Sequence, residues 1–381
     1  MDLIDFSRQI EDHRDNRNIS HSVETIVFIT LCAVICGAES WNEIEQFGRS
    51  KEAYFMKRLS DFNGIPSHDT FNRFFSAIDV GYFERRFRCW VRDLYKEYKG
   101  VVAIDGKTMR GSSERTSGGN GVKTKLHIVS AFAASNGISL GQVKVDDKSN
   151  EITAIPELIE ALDLTECIVT IDAMGCQKAI AEKIIEADAD YILAVKGNHA
   201  KLHKELINHF DYADATLKKG RTLPKTRWAF HTTEKKAHGN IEIRRCIAYS
   251  NGAMDITMCK NWKGAQTVAR IEAERTNCLT GEVTIEKRYY ITSLEINPEL
   301  IASSVRTHWS IENNLHWQLD VSFSEDKSSK TKNAAINFSL INKMALAILK
   351  KDKKKASIVA KRKIAGWNEL YLDKLLQIEK R

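Results

Sequence analysis

The sequence predicts an α/β protein with a mixed β-sheet core, preceded by a helical domain and interrupted by a β-rich insertion. Three observations support this prediction. The first 96 residues have helical periodicity, and after Gly100 the chain changes to short apolar segments rich in Val and Ile. Segments 241–249, 266–274 and 282–291 alternate partially with period two. With 43% hydrophobic and 28% charged residues, the 381-residue chain can bury the cores of about two to three domains.

The N-terminal helical domain, residues 1–96, is predicted to contain four helices. The apolar stretch Ile26–Ala38 is shorter than the roughly 18 residues that span a bilayer, so we expect a buried helix and no membrane partner. Trp41–Leu59 is amphipathic, Ser67 is a predicted N-cap, and Phe83–Tyr98 is rich in arginine. The domain is either an ordinary helical bundle or a domain that contacts DNA through a helix-turn-helix-like element near residues 67–78.

The core is predicted from the order of its elements. The predicted strands are Val101–Asp105, Leu126–Ala133, Ile138–Val145, Cys167–Asp172 and Tyr191–Val195, and the helices between the later strands are Ile152–Leu162 and Gln177–Ala187. Strands joined by turns, followed by strands linked through helices, describe the mixed sheet of a ribonuclease H-like domain. Residues 97–211 form its first part, 212–293 the β-rich insertion, and 294–349 its completion. Asn297 and Pro298 predict the start of the helix that resumes the core.

The positive charge is concentrated at the C-terminus. The net charge is +7, and the segment 343–381 contains 12 Lys or Arg and 4 Asp or Glu. The basic segment 350–381 is therefore either a phosphate-neutralising surface or a solvated tail. Eight cysteines without a CxxC pair favour reduced thiols in the cytoplasm. Because no glycine-rich phosphate loop is present, we expect no nucleotide cofactor.

Two predicted strands end in an aspartate followed by a small residue. Asp105 closes the apolar run 101–104 and Asp172 closes the run 168–171. One such aspartate more often caps a turn, but two at the rim of one sheet favour a metal or ligand site. Glu312 offers a third carboxylate, with His308 and His316 four residues before and after it in a helical pattern. The alternative for that segment is a helix with a solvated polar face.

Other acidic residues are weaker candidates. Asp146 and Asp147 follow a predicted strand, and we expect them to cap a turn. Glu325 and Asp326 follow the helix of Glu312 at a distance in sequence, so we do not expect them to bind metal.

Several motifs in this order resemble the DDE transposases of bacterial insertion sequences, most closely the branch of the H-repeat-associated proteins. The matching stretches are GIPSHDTFNRFF (64–75), IDGKTMRGS (104–112), KSNEITAIPELIEALD (148–163), TIDAMGCQKAIAEKI (170–184), YILAVKGNH (191–199) and HWSIENNLHWQLDVSFSED (308–326). The resemblance implies that Asp105, Asp172 and Glu312 hold two Mg²⁺ ions, for which Mn²⁺ can substitute. It implies metal-dependent cleavage at the ends of an insertion element and strand transfer to target DNA.

The partners implied are double-stranded DNA, as element ends and as target, and a second copy of the chain in a homodimer on that DNA. The candidate DNA contacts are Lys107, Arg110, Lys196 and Asn198 beyond strand ends, and Arg306, His308, Asn313, His316 and Lys327 around the third acid. Related transposases carry Arg four residues before and Lys seven residues after the third acid, where this chain has His308 and Leu319. The missing cation must come from His308, Arg306, His316 or Lys327, and the sequence does not choose among them.

Two other functions stay open from the sequence. One is a DNA-binding remnant of an element with an inactive site, and the other is a repurposed nuclease that cuts DNA without joining it. The presence of all three acids favours the transposase.

Overall fold

A computed structural model of the chain describes residues 3–12, 14, 19–115, 123–145, 150–221, 227–237, 239–250 and 257–378. Asp146 and Asp147 lie outside the described residues. The helices are α1 (Leu3–Arg8), α2 (Val23–Ile35), α3 (Trp41–Ser50), α4 (Glu52–Met56), α5 (His68–Ala77), α6 (Val80–Leu94), α7 (Glu151–Glu160), α8 (Lys178–Glu186), α9 (Ala200–Lys218), α10 (Pro298–His308), α11 (Trp317–Ser322), α12 (Lys332–Lys351), α13 (Ile358–Trp367) and α14 (Glu369–Leu376). The strands are β1 (Gly100–Arg115), β2 (Lys123–Ala133), β3 (Ile138–Val145), β4 (Cys167–Ile171), β5 (Asp190–Val195), β6 (Trp228–Ala237), β7 (Asn240–Ser250), β8 (Thr267–Asn277) and β9 (Val283–Thr292).

The N-terminal helices form where local capping signals predict them. The Ser67 hydroxyl accepts a hydrogen bond from the Thr70 N–H at 3.3 Å, which satisfies one of the free donors at the start of α5. The predicted helix over residues 41–59 divides into α3 and α4, and the predicted helix over 83–98 begins earlier because Asp79 caps α6. Helix α1 was not predicted.

Helix α12 packs against α2, α5 and α6, so the helical domain shares its core with the C-terminal part of the chain.

One nine-stranded mixed sheet forms the centre of the molecule, with the strand order β3-β2-β1-β4-β5-β9-β8-β7-β6. The pairs β1–β2 and β2–β3 are antiparallel, whereas β1–β4 and β4–β5 are parallel. This is the ribonuclease H-like arrangement that the sequence predicts. Strand β1 does not end at Asp105 as predicted, because it continues as a hairpin arm with β2 to Arg115. Only its pairing with β4 ends there, at Ile104 opposite Ile171.

The predicted β-rich insertion extends the same sheet. Strand β9 pairs antiparallel with β5, and β8, β7 and β6 follow in order. The boundary predicted between residues 211 and 212 falls inside α9. Strand β6 was not predicted, because it is an edge strand whose residues 232–236 are exposed and lack apolar alternation.

The C-terminal segment is not a solvated tail. It folds as α13 and α14 against the N-terminal domain, and two of its basic residues are buried. The Lys361 ammonium donates to the Leu349 carbonyl at 2.8 Å, and the Arg362 guanidinium donates to the Val34 carbonyl at 2.9 Å. These charges satisfy helix-end carbonyls, so they are not available to bind phosphates. Within the described ranges, no helix is both long and apolar enough to cross a membrane.

Candidate active site

Two adjacent parallel strands bring the first two acids together. Ile104 of β1 lies opposite Ile171 of β4, so Asp105 and Asp172 follow paired residues at the same edge of the sheet. The Asp172 carboxylate accepts hydrogen bonds from the N–H groups of Met174 at 2.9 Å and Gly175 at 3.4 Å. The turn after β4 therefore fixes the orientation of this carboxylate.

The third acid enters from a helical segment. The side chain of Asn297 accepts a hydrogen bond from the Leu300 N–H at 3.0 Å, with Pro298 in the first turn, as the sequence predicts for the start of α10. This helix packs across β1 and β4. The chain then continues through a π-helical turn, Glu312–His316, in which the Trp317 N–H donates to the carbonyl of Glu312 five residues earlier. The predicted regular helix is thus widened by one residue at the third acid, a feature common at functional sites.

All three acids line one cavity of about 360 Å³. Asp172 and Glu312 are exposed and Asp105 is half-buried. Apolar and aromatic side chains form much of the remaining wall, namely Ile192, Ala194, Val195, Tyr289, Tyr290, Val305, Trp309 and Ile311. The sequence-predicted carboxylates therefore converge on a single open site.

The electrostatic environment differs between the acids. Burial raises the pKa of the Asp105 carboxyl to about 6; the His316 imidazole opposes this shift and the Asp172 carboxylate adds to it. A hydrogen bond from His316, whose Nδ1 lies 3.1 Å from the carboxylate, lowers the pKa of Glu312. Asp105 is thus a desolvated carboxylate beside a second one, an arrangement that a bound cation would stabilise.

The donor set fits a hard divalent cation. Carboxylate oxygens are the ligands that Mg²⁺ prefers, and they come here from three separate segments of the chain. One oxygen each of Asp105 and Glu312, with a ring nitrogen of His316, lie within 4.8 Å of one another. The residues present are therefore compatible with a divalent metal site.

Lys107, a predicted phosphate contact, is engaged with carboxylates instead. It is only 10% exposed, and its ammonium lies 2.7 Å from Glu325 and also contacts Asp320. These contacts account for its charge without a phosphate. Glu325, which was not expected to bind metal, is buried with this ammonium as its partner.

Of the cations considered for the third-acid region, His308 is half-buried, and burial lowers its pKa and so disfavours its charged form. Its Nδ1 lies 3.0 Å from the Thr170 hydroxyl. His316 is buried. Arg306 is exposed and lies 3.5 Å from Glu242, and Lys327 is exposed.

The other predicted DNA contacts differ in their exposure and in their hydrogen-bond partners. Lys196 is exposed and lines it. Asn198 donates to the Ala173 carbonyl, and Asn313 donates to the Trp309 carbonyl at 3.2 Å. Arg110 is exposed, and its guanidinium lies 3.5 Å from Asp326.

Sequence reasoning missed Arg288 and the aromatic wall. The Arg288 guanidinium lines the cavity, lies 5.1 Å from the centre of the Trp309 ring, and donates to Glu286 at 2.8 Å. Arg288 comes from β9, which reaches the site only because β9 pairs with β5. No local pattern in the sequence marks this pairing.

Two family models together match most of the chain. The family model described as "Transposase DDE domain" matches residues 98–349, and the model described as "DDE_Tnp_1-associated" matches residues 4–91. A cryo-EM structure of a piggyBac transposase synaptic complex with hairpin DNA aligns with 98% of this chain and 76% of that chain, at a TM-score of 0.41 and 11% identity.

Two relatives from Escherichia coli align over nearly their whole length. "Putative transposase YncI" of strain O157:H7 is 40% identical over 380 residues, covering 98% of this chain and 94% of that protein. "H repeat-associated putative transposase YhhI" of strain K12 is 39% identical over 377 residues, covering 96% of this chain and 95% of that protein. The chain therefore belongs to the DDE transposase family, in the branch of the H-repeat-associated proteins.

Proposed function

We propose that this protein cleaves DNA at the ends of its own insertion element and joins the freed ends to target DNA. The observation that carries the proposal is the convergence of Asp105, Asp172 and Glu312 on one cavity from three distant segments. Because none of the three acids is replaced, an active enzyme is favoured over a DNA-binding remnant.

The proposed chemistry is in-line displacement at phosphorus without a covalent enzyme intermediate. Two divalent ions, Mg²⁺ or Mn²⁺, would supply Lewis acidity at the attacking and leaving oxygens when bound by the three carboxylates. The Asp105 carboxylate is close enough to Asp172 for that charge to raise its pKa, and one of its oxygens lies within 4.8 Å of a Glu312 oxygen, so Asp105 suits the role of the shared ligand. Asp172 is held by backbone N–H groups, and Glu312 is oriented by His316. Water is the nucleophile for cleavage, and the freed 3′-hydroxyl is the nucleophile for strand transfer.

We assign DNA contacts to the polar rim of the cavity. Lys196 and Arg288 line the cavity, Arg306 is exposed on α10, and all three suit backbone phosphates. Arg110 and Lys327 extend this set, and Asn198 and Asn313 hold the backbone beside the acids. Since joining requires two ends, we also propose that the protein acts as a homodimer on DNA.

Cleavage of a labelled duplex that carries the repeats flanking the gene tests the function. With Mg²⁺ or Mn²⁺, we expect nicking at the repeat boundary by the wild type and by Glu295→Gln, an exposed control. Glu312→Gln and Asp105→Asn should abolish nicking while retaining DNA binding.

Three other results would change the assignment. Nicking without a joined product would indicate a nuclease that does not transfer strands. A folded wild-type protein that binds the duplex but does not cleave it would indicate an inactive remnant. Cleavage retained in Glu312→Gln would exclude Glu312 as the third acid.

A further inference from the structure

His316 lies between two of the acids but is inaccessible to DNA. Its side chain is 4% exposed, and its Nδ1 atom lies 3.1 Å from Oε2 of Glu312 and 3.6 Å from Oδ2 of Asp105. A buried imidazole that faces two carboxylates does not reach a phosphate at the surface. The role of a phosphate-contacting cation therefore does not fit this residue.

The spacing of the three groups suits a shared cation. One oxygen of each carboxylate and a ring nitrogen of His316 lie within 4.8 Å of one another. Ligands about 2.0–2.3 Å from one ion lie at most about 4.5 Å apart, so small movements would bring all three into its coordination shell. Asp172 is not one of these three groups.

The other ring nitrogen is free to carry the proton of the imidazole. Nε2 of His316 is buried and has no hydrogen-bond partner among the described protein atoms. His316 also lines a small cavity of about 10 Å³, whose wall contains the polar side chains Glu325, Ser339 and Lys343 and the apolar side chains Met109, Ile128 and Leu319. A metal-bound imidazole usually donates its second N–H to a carboxylate, carbonyl or water, and the Glu325 carboxylate in this cavity is such an acceptor.

We infer that Nδ1 of His316, which donates to Glu312 in the metal-free protein, gives up this hydrogen bond and becomes a ligand of the cation bound by Asp105 and Glu312, with the proton of the imidazole then on Nε2. This inference rests on the proposed function, because it assigns a further ligand to the same metal site. The site then has a nitrogen donor beside its carboxylates. Imidazole binds first-row transition metals better than it binds Mg²⁺, so the site should bind Mn²⁺ more tightly than Mg²⁺.

Pulsed electron paramagnetic resonance of Mn²⁺ added to the DNA-free, full-length protein tests the inference. We expect a ¹⁴N coupling in the wild type, which becomes a ¹⁵N coupling when only histidine is labelled with ¹⁵N. His316→Gln should lose the coupling and bind Mn²⁺ about tenfold more weakly or worse. His316→Asp should lose the coupling and shift the preference toward Mg²⁺.

His68→Gln is the matched control. His68 Nδ1 lies 2.9 Å from Glu45 in another imidazole–carboxylate pair, but in the N-terminal domain and largely exposed. This variant should keep the coupling. Because His308 also lines the cavity, the ¹⁵N label alone does not identify His316. A coupling retained in His308→Gln assigns it to His316 even if the His316 variants fail to fold, and a coupling lost in folded His308→Gln overturns the inference.

A wild-type protein that binds no Mn²⁺, or binds it without nitrogen coupling, overturns the inference. Coupling that persists in folded His316→Gln also overturns it. Failure of the proposed function can be distinguished from failure of this inference. A protein that shows the histidine coupling but does not cleave element-end DNA would contradict the proposed function and leave His316 as a metal ligand.

Discussion

The Nζ atom of Lys107 lies 2.7 Å from Oε2 of Glu325, although 218 residues separate them in sequence. Their side chains are 10% and 2% exposed. Lys107 is two residues beyond Asp105 on β1, and Glu325 follows the helical segment of Glu312. This buried pair therefore ties the strand of the first acid to the segment of the third.

Removing one partner of this pair should strongly destabilise the protein. Lys107→Met leaves the Glu325 carboxylate buried without its nearest cation, so we expect the free energy of unfolding to fall by about 3 kcal/mol. The double variant Lys107→Met/Glu325→Leu should recover part of the loss. Urea unfolding measures the free energy of unfolding of the single and the double variant. The control is Lys99→Met, which removes an exposed pair with Glu166 and should leave the midpoint unchanged.

The stability of the metal-free protein should depend on pH through Asp105. The pKa of this carboxyl is raised from 3.8 to about 6, so the folded state binds more protons than the unfolded chain between these values. The free energy of unfolding should therefore decrease as pH rises from about 4 to about 6, by roughly 2 kcal/mol from this group. Urea titrations in the presence of a chelator measure this dependence.

Asp105→Asn should lack this component of the pH dependence, because the amide does not titrate. Mg²⁺ should stabilise the wild type more at pH 6 than at pH 4, since it binds the deprotonated carboxylate. An equal slope in the variant would assign the dependence to other groups.

Arg362 should contribute to stability and not to DNA binding. Its buried guanidinium donates to the carbonyls of Val34, Ala38 and Ser322. Arg362→Met leaves these acceptors unsatisfied, so we expect a loss of about 3 kcal/mol in unfolding free energy. Lys363→Met, at an exposed neighbouring position, is the control and should unfold like the wild type. A fall in the salt dependence of DNA binding in folded Arg362→Met would contradict this assignment.

Lys196 should contribute one phosphate contact. Lys196→Ala is expected to weaken binding to all DNA sequences and to lower the slope of log K against log salt concentration by about 1. Fluorescence anisotropy at several salt concentrations gives this slope. Lys99→Ala changes an exposed lysine that precedes β1 and pairs with Glu166, and it should leave the slope unchanged. Equal slopes in Lys196→Ala and the wild type would remove Lys196 from the interface.

The sequence by itself determined the features that depend on neighbouring residues. Apolar runs rich in Val and Ile predict the core strands, and Ser67 and Asn297 predict helix starts, because strand formation and capping depend on nearby side chains. The ends of two apolar runs also identified Asp105 and Asp172, whose meeting in the structure follows from parallel pairing of their strands.

Only the tertiary structure decided which distant groups meet. It directs Lys107 to Glu325, brings Arg288 to the cavity through the pairing of β9 with β5, and buries Arg362 against carbonyls over 300 residues away. It also places His316 against Asp105. Charge and spacing along the chain do not specify such partners. A buried charged group must be paired or hydrogen-bonded, and its partner is the counter-charge or carbonyl that the packing of distant elements places beside it.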